Sequence, residues 1–198
     1  MNTVRLFSRL GVALIAAVFF MFFACGRNQG DTASVPLPVA WPRLPVTASD
    51  SMIPVDSLPV QILVNPQAEY EYVNGDNKGL TVTYPAVRAS IYYTFIRPAD
   101  PADRNRIIEA RKQRISLNLN GSPATTYHDD AGNALLVVAG TTSQTPVQLL
   151  ADVGPYVVTA TAFIETPANA VAYDSIAPLI DVLRHDVGKS IKNLNFGQ

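Results

Sequence analysis

The chain has 198 residues, a formal net charge of −1, 48% hydrophobic and 16% charged residues, and one cysteine. Near-neutrality removes any global electrostatic drive toward nucleic acid, and a lone cysteine excludes an intrachain disulfide and a thiolate metal cluster.

The first elements form an export signal. Arg5 and Arg9 supply a positive n-region, Leu10 to Phe23 an apolar h-region, and Phe22-Phe23-Ala24-Cys25 a lipobox-like junction. A short apolar run followed by polar, Pro-rich chain fits a cleaved signal better than a spanning helix. The expectation is therefore a signal peptide over residues 1–24 and lipidation at Cys25, with an uncleaved anchor helix as the alternative. Two or more acyl chains anchor stably, because each buried methylene contributes about 0.8 kcal/mol. Both alternatives put the remaining chain outside the cytoplasm, and it is long enough for one domain plus a tether.

Residues 25–57 read as the lipidated cysteine and a Pro-rich tether or arm, with prolines at 36, 38, 42, 45 and 54 and no apolar periodicity. The 15 residues from Gly26 to Ala40 reach about 45 Å at about 3.1 Å per residue if polyproline-like. Trp41-Pro42-Arg43-Leu44 interrupts this composition, and the only tryptophan of the chain is expected to dock on the domain surface. Trp41 and Arg43 are accordingly candidate contact residues.

Residues 58–198 are expected to form one α+β domain. Alternation of period two marks Val60 to Val64, Glu69 to Tyr72, Leu80 to Tyr84 and Val87 to Phe95 as strands, with a turn at Asn74-Gly75. Asp100-Pro101 opens a helix to about Leu117, since Asp caps free N–H groups and Pro suits the first helical position. That helix has a thin apolar stripe of Ile107, Ile108 and Ile115 beside five cations, Arg104, Arg106, Arg111, Lys112 and Arg114. Four more strands follow at Ala124 to His128, Ala134 to Ala139, Pro146 to Val153 and Tyr156 to Ile164. The closing helix carries Ile176, Leu179, Ile180, Leu183 and Val187 on one stripe, with Asp174 or Ser175 as cap and Pro178 in its first turn. About eight strands and two separated helices without βα alternation predict a largely antiparallel sheet with helices packed on its faces.

The sequence has no HExxH, GxSxG, phosphate-binding glycine loop or dinucleotide fingerprint. His128-Asp129-Asp130 has metal-ligand residue types, but it lies at a hairpin, where Asp is favoured for local backbone bonding. His185, beside Asp181 and Lys189, has no nucleophile placed with it. No catalytic residue, cofactor or metal is therefore expected. The basic face of the first helix remains, and Arg104, Arg111 and Arg114 are the candidates for an acidic partner.

Three stretches together resemble the gliding motility-associated lipoprotein GldD family of Bacteroidetes. They are the arm from Pro36 to Pro45, the Ala131-Gly132-Asn133-Ala134 hairpin, and Asp174-Ser175-Ile176-Ala177-Pro178-Leu179-Ile180-Asp181 running into Arg184 and Asp186. The resemblance covers nearly all of the mature chain in order and spacing. It implies a non-enzymatic accessory lipoprotein of the gliding motility and type IX secretion machinery, without cofactor. Its partners would be the lipid bilayer, through acylated Cys25, and other envelope lipoproteins or secretion and motility components, not nucleic acid. The element order is also similar to the PsbP/Mog1 type of α/β/α sandwich, an analogy of fold alone. The location expected is the cell envelope, lipid-anchored and facing the periplasm, because no acidic run follows Cys25. The alternative function is a periplasmic binding module or chaperone for an apolar ligand or secretion client. A deep pocket among Tyr70, Tyr72, Tyr84, Tyr92 and Tyr93 would favour it.

Overall fold

The computed structural model describes residues 50–75, 78–140, 143–165 and 173–196. The segment expected to be a signal peptide, Cys25, Trp41 and Arg43 lie outside the described residues. The elements are β1 (Ser51–Pro54), β2 (Val60–Val64), β3 (Glu69–Val73), β4 (Lys78–Tyr84), β5 (Ala89–Ile96), α1 (Pro101–Leu119), β6 (Ala124–His128), β7 (Ala134–Ala139), β8 (Val147–Val153), β9 (Tyr156–Ile164), α2 (Tyr173–Lys192) and β10 (Asn195–Phe196). The fold is α+β. Seven strands form one antiparallel sheet in the order β3-β4-β5-β9-β8-β7-β6, and β1, β2 and β10 form a second, in the order β1-β2-β10.

Alternation along the strands divides the large sheet into two faces. In β9, Tyr156, Val158, Ala160, Ala162 and Ile164 point one way, while Val157 points the other. The first set joins Val147, Leu149 and Ala151 of β8 and Leu80, Val82, Ile91 and Tyr93 in the main core. Onto that inner face pack α2, through Ile176, Leu179, Ile180, Leu183, Val187 and Ile191, and the small sheet, through Ile53, Val60, Ile62 and Val64. The outer face holds a smaller cluster of Val137, Leu150 and Val157 beneath Ile115 of α1. One helix per face accounts for the unequal apolar stripes of the two helices.

Polar bonds fasten the inner layer. Ser190 Oγ donates to Leu63 O at 2.7 Å, Tyr72 Oη donates to Pro54 O at 3.0 Å, and Lys189 pairs with Asp50. Tyr84 Oη, buried on β4, donates to Asp186 Oδ2 at 2.6 Å across to α2.

Two boundaries differ from the sequence expectation. β1 lies inside the segment assigned to the tether, and Ile53 and Val55 are buried in the main core, so the fold includes chain from Ser51 onward. The prolines that flank this strand hid it, since Pro54 closes its last position at the edge of the small sheet. α2 begins at Tyr173, upstream of the cap expected at Asp174 or Ser175, and Pro178 therefore sits beyond the first turn. There it leaves the Asp174 carbonyl without its helical N–H donor.

Candidate functional site: an arginine-lined cleft

α1 starts where the sequence places it. Asp100 is the N-cap, its Oδ1 accepting from Asp103 N at 2.7 Å, and Pro101 takes the first helical position. Asp103 then accepts from Ala99 N at 3.0 Å and pairs with Arg106. The Ala99 N–H first, and then Arg106, hold its carboxyl below the usual carboxylate range. The helix ends at Asn120 in the left-handed conformation with φ 44°, its N–H bonded to Leu117 O.

Two adjacent stripes of α1 have different tasks. The stripe facing β7, β8 and β9 carries Arg104, Ile108, Ile115, Asn118 and Leu119, with Ile107 at its border also packed against that cluster. Arg104 pairs with Asp152 at the end of β8 and donates to Gly154 O at 3.3 Å. Asn118 Nδ2 donates to the buried Gln148 Oε1 at 2.9 Å. These bonds secure the helix at both ends against the outer sheet face.

The neighbouring stripe, Asp103, Ile107, Ala110, Arg111 and Arg114, faces the end of β5 and encloses an open cleft of about 410 Å³ with Ile96, Arg97 and Arg106. The floor is aliphatic, from Ile96, Ile107 and Ala110, and the walls are cationic. Arg106 is engaged with Asp103, but among the described residues no carboxylate lies within ion-pair distance of Arg97, Arg111 or Arg114. Burial first, and then the positive charge of Arg114 beside it, lower the pKa of Arg111. Like charges held together with no carboxylate beside them among the described residues form a surface suited to an anionic group.

The structure thus brings together Arg111 and Arg114 and removes Arg104 from the candidate set, because its guanidinium is spent on Asp152. Charge in sequence does not reveal a partner 48 residues away. Arg97 was missed as a site residue. The spacing 107, 110, 111 and 114 along the helix contains the signal for the cleft wall, while the position of Arg97 needs the crossing of helix and strand.

Other candidates resolve differently. Asp129 closes the β6–β7 hairpin: its Oδ1 accepts from Ala134 N at 3.0 Å, and Gly132 takes φ 73°. Among the described residues no three His, Cys, Asp or Glu groups come together as a metal site. His185 is exposed on α2. The tyrosines do not converge. Tyr84 and Tyr93 are buried in the main core, Tyr92 projects from the opposite face with 46% exposure, and Tyr70 and Tyr72 meet edge to face on β3. A second open groove of about 340 Å³, between β6, β7 and α2, is lined by Pro123, Ala124, Val138, Ala139, Ile180 and Asp181 among others and carries no cation. Neither groove is lined by a tyrosine. Among the described residues no helix is long and apolar enough to cross a membrane.

No protein-family model, curated protein or solved structure matches the chain.

Proposed function

We propose that this is a non-enzymatic, lipid-anchored cell-envelope protein that works through protein–protein contacts, as an accessory component of gliding motility or type IX secretion machinery. Acylated Cys25 holds it to the bilayer, and the cleft between α1 and β5 meets an acidic surface of another envelope component. The observation that supports this reading is the set of cations in the cleft, Arg97, Arg111 and Arg114, with no carboxylate beside them among the described residues. The gliding and secretion setting rests on the resemblance of the arm, the hairpin and the closing helix to the GldD family.

Crosslinking and pull-down of the native lipoprotein from membranes test the reading. Arg97, Arg111 and Arg114 changed together to Glu should give a folded, membrane-bound protein that no longer captures its partner, and wild-type capture should weaken with salt. Capture that survives the reversal removes the cleft from the contact. Cys25→Ser should release the protein from membranes and abolish metabolic fatty-acid labelling. Labelling that persists in that variant removes the anchor.

A further inference from the structure

We infer that the cleft between α1 and the end of β5 binds an extended acidic protein segment in which carboxylates alternate with aliphatic side chains. The inference rests on the contact reading above and names the chemistry of the partner.

The walls select carboxylates. Six cations lie on α1 and at the end of β5, and three are neutralised within the fold: Arg104 by Asp152, Arg106 by Asp103 and Lys112 by Glu109. The remaining three, Arg97, Arg111 and Arg114, have no carboxylate at ion-pair distance among the described residues, and all line the cleft. Guanidinium forks pair with carboxylates through two parallel N–H bonds, an arrangement a single lysine cannot reproduce. Asp103 also lines the cleft, towards the start of α1, so an incoming acid is repelled there and drawn towards Arg111 and Arg114.

The floor adds a second requirement. Ile96 and Ile107 are only half-buried, and Ala110 is exposed. A bare phosphate would neutralise the walls and leave this aliphatic surface in water, whereas a side chain on the same ligand covers it at roughly 25 cal/mol per Å². A sugar gains its binding from ring-face stacking on aromatic residues, and no aromatic residue lines the cleft. The cleft volume of about 410 Å³ lies within the roughly 300–1,000 Å³ of small-ligand sites, so it takes a few side chains of a longer segment.

Geometry also gives the segment a path out. From Ile96, the outer face of β5 continues through Thr94 and Tyr92, which lie opposite Thr159 and Thr161 of β9. This strip beside α1 is neutral and hydroxyl-rich, and it imposes no further charge on a chain that leaves the cleft.

The test is a binding titration with the full lipoprotein in detergent. The probe is a fluorescein-labelled nine-residue peptide alternating Glu and Leu; the comparisons are its Glu–Ser and Gln–Leu counterparts and inorganic polyphosphate. The Glu–Leu peptide should bind about tenfold or more tightly than either counterpart. Arg111→Gln with Arg114→Gln should weaken it by at least about tenfold. Ala110→Glu, at an exposed helical position, should do the same by placing a carboxylate on the floor. Circular dichroism should be unchanged, and melting temperature should not fall, in both variants. Equal binding of polyphosphate or of the Glu–Ser peptide reduces the site to a charge effect and overturns the inference, as does absence of Glu–Leu binding or its persistence in both variants. Failure of the peptide, with native-partner capture still lost on charge reversal, removes this inference alone. Capture unaffected by reversal removes the contact reading itself.

Discussion

The two faces of the seven-stranded sheet are built for different purposes. The inner face meets α2 and the small sheet through a continuous core that includes Leu80, Ile91, Val158, Ala162 and Leu183. The outer face meets α1 through four buried residues, Ile115, Val137, Leu150 and Val157, and holds the helix in place with polar bonds at its two ends. Burial of apolar area dominates folding, so the inner side determines whether the chain folds. The outer side determines what the folded chain presents, because a helix with one narrow buried stripe keeps its next stripe for a cleft.

The largest expected effect is therefore on the inner side. Leu183 is fully buried at 0% exposure, and Leu183→Ala should cost about 2–5 kcal/mol by chemical denaturation. Ile115→Ala, the matching truncation on the outer face, removes a side chain from a cluster of only four buried residues. It should cost at least about 1 kcal/mol less than Leu183→Ala, since a site near solvent collapses more readily. Equal costs would mean that α1 is as integral as α2.

The pair of buried Tyr84 and half-buried Asp186 gives the next largest effect. Burial first raises the Asp186 carboxyl above the usual carboxylate range, with Asp50 adding to it, while the Tyr84 hydroxyl and Asn65 draw it back. A carboxyl raised in the folded state binds its proton more tightly folded than unfolded. Its contribution to stability is thus fully present below the ordinary carboxylate pKa and is lost as pH rises through the raised value. Asp186→Asn keeps an oxygen for Tyr84, so it should flatten that decline and be at least as stable as wild type at neutral pH. Asp186→Ala leaves the buried hydroxyl without its acceptor and should cost about 1–3 kcal/mol. A pH–stability profile identical in wild type and Asp186→Asn would show that this carboxyl titrates normally.

The contrast between faces also explains what the sequence could reveal. The eight expected strands all form, and in β2, β4 and β5 period-two alternation registers directly which side chains reach the inner core. β1 and β10 escaped notice, the first four residues long and closed by Pro54, the second two residues long; neither is long enough to show a period. The stripe of α2 was legible from Ile176 to Val187, but its buried last turn at Ser190 and Ile191 was not, nor was its first turn, since Pro178 resembles a first-turn proline and sits further in. On the outer side, counting cations led to Arg111 and Arg114 but also to Arg104, whose role depends on Asp152 arriving from β8. Arg97 belongs to the cleft only because β5 ends beside α1, which is a tertiary fact.

Arg104→Ala measures how α1 is held. Arg104 and Asp152 are 27% and 36% exposed, so the pair is screened by water, and its loss should cost about 0.5–1 kcal/mol. The hydrogen bond to Gly154 O is lost as well. Hydrogen exchange should rise in the first turns of α1 and stay unchanged in α2. Faster exchange in both helices would mean that the two faces unfold together.

The smallest effect is expected in the cleft, and its sign matters more than its size. Arg111 and Arg114 have no carboxylate partner among the described residues, and the charge of Arg114 adds to the cost of charging the half-buried Arg111. Arg114→Gln removes one member of a repelling pair while keeping a good helix former. It should leave stability within about 0.5 kcal/mol of wild type, on the stabilising side, with the gain shrinking as salt screens the repulsion. A cation kept for packing or for an internal ion pair would behave oppositely, because its removal would destabilise by losing a favourable contact. A clear loss of stability in Arg114→Gln would therefore place this residue with Arg104 among the groups that hold the helix, and the cleft would lose its claim to be a surface reserved for a partner.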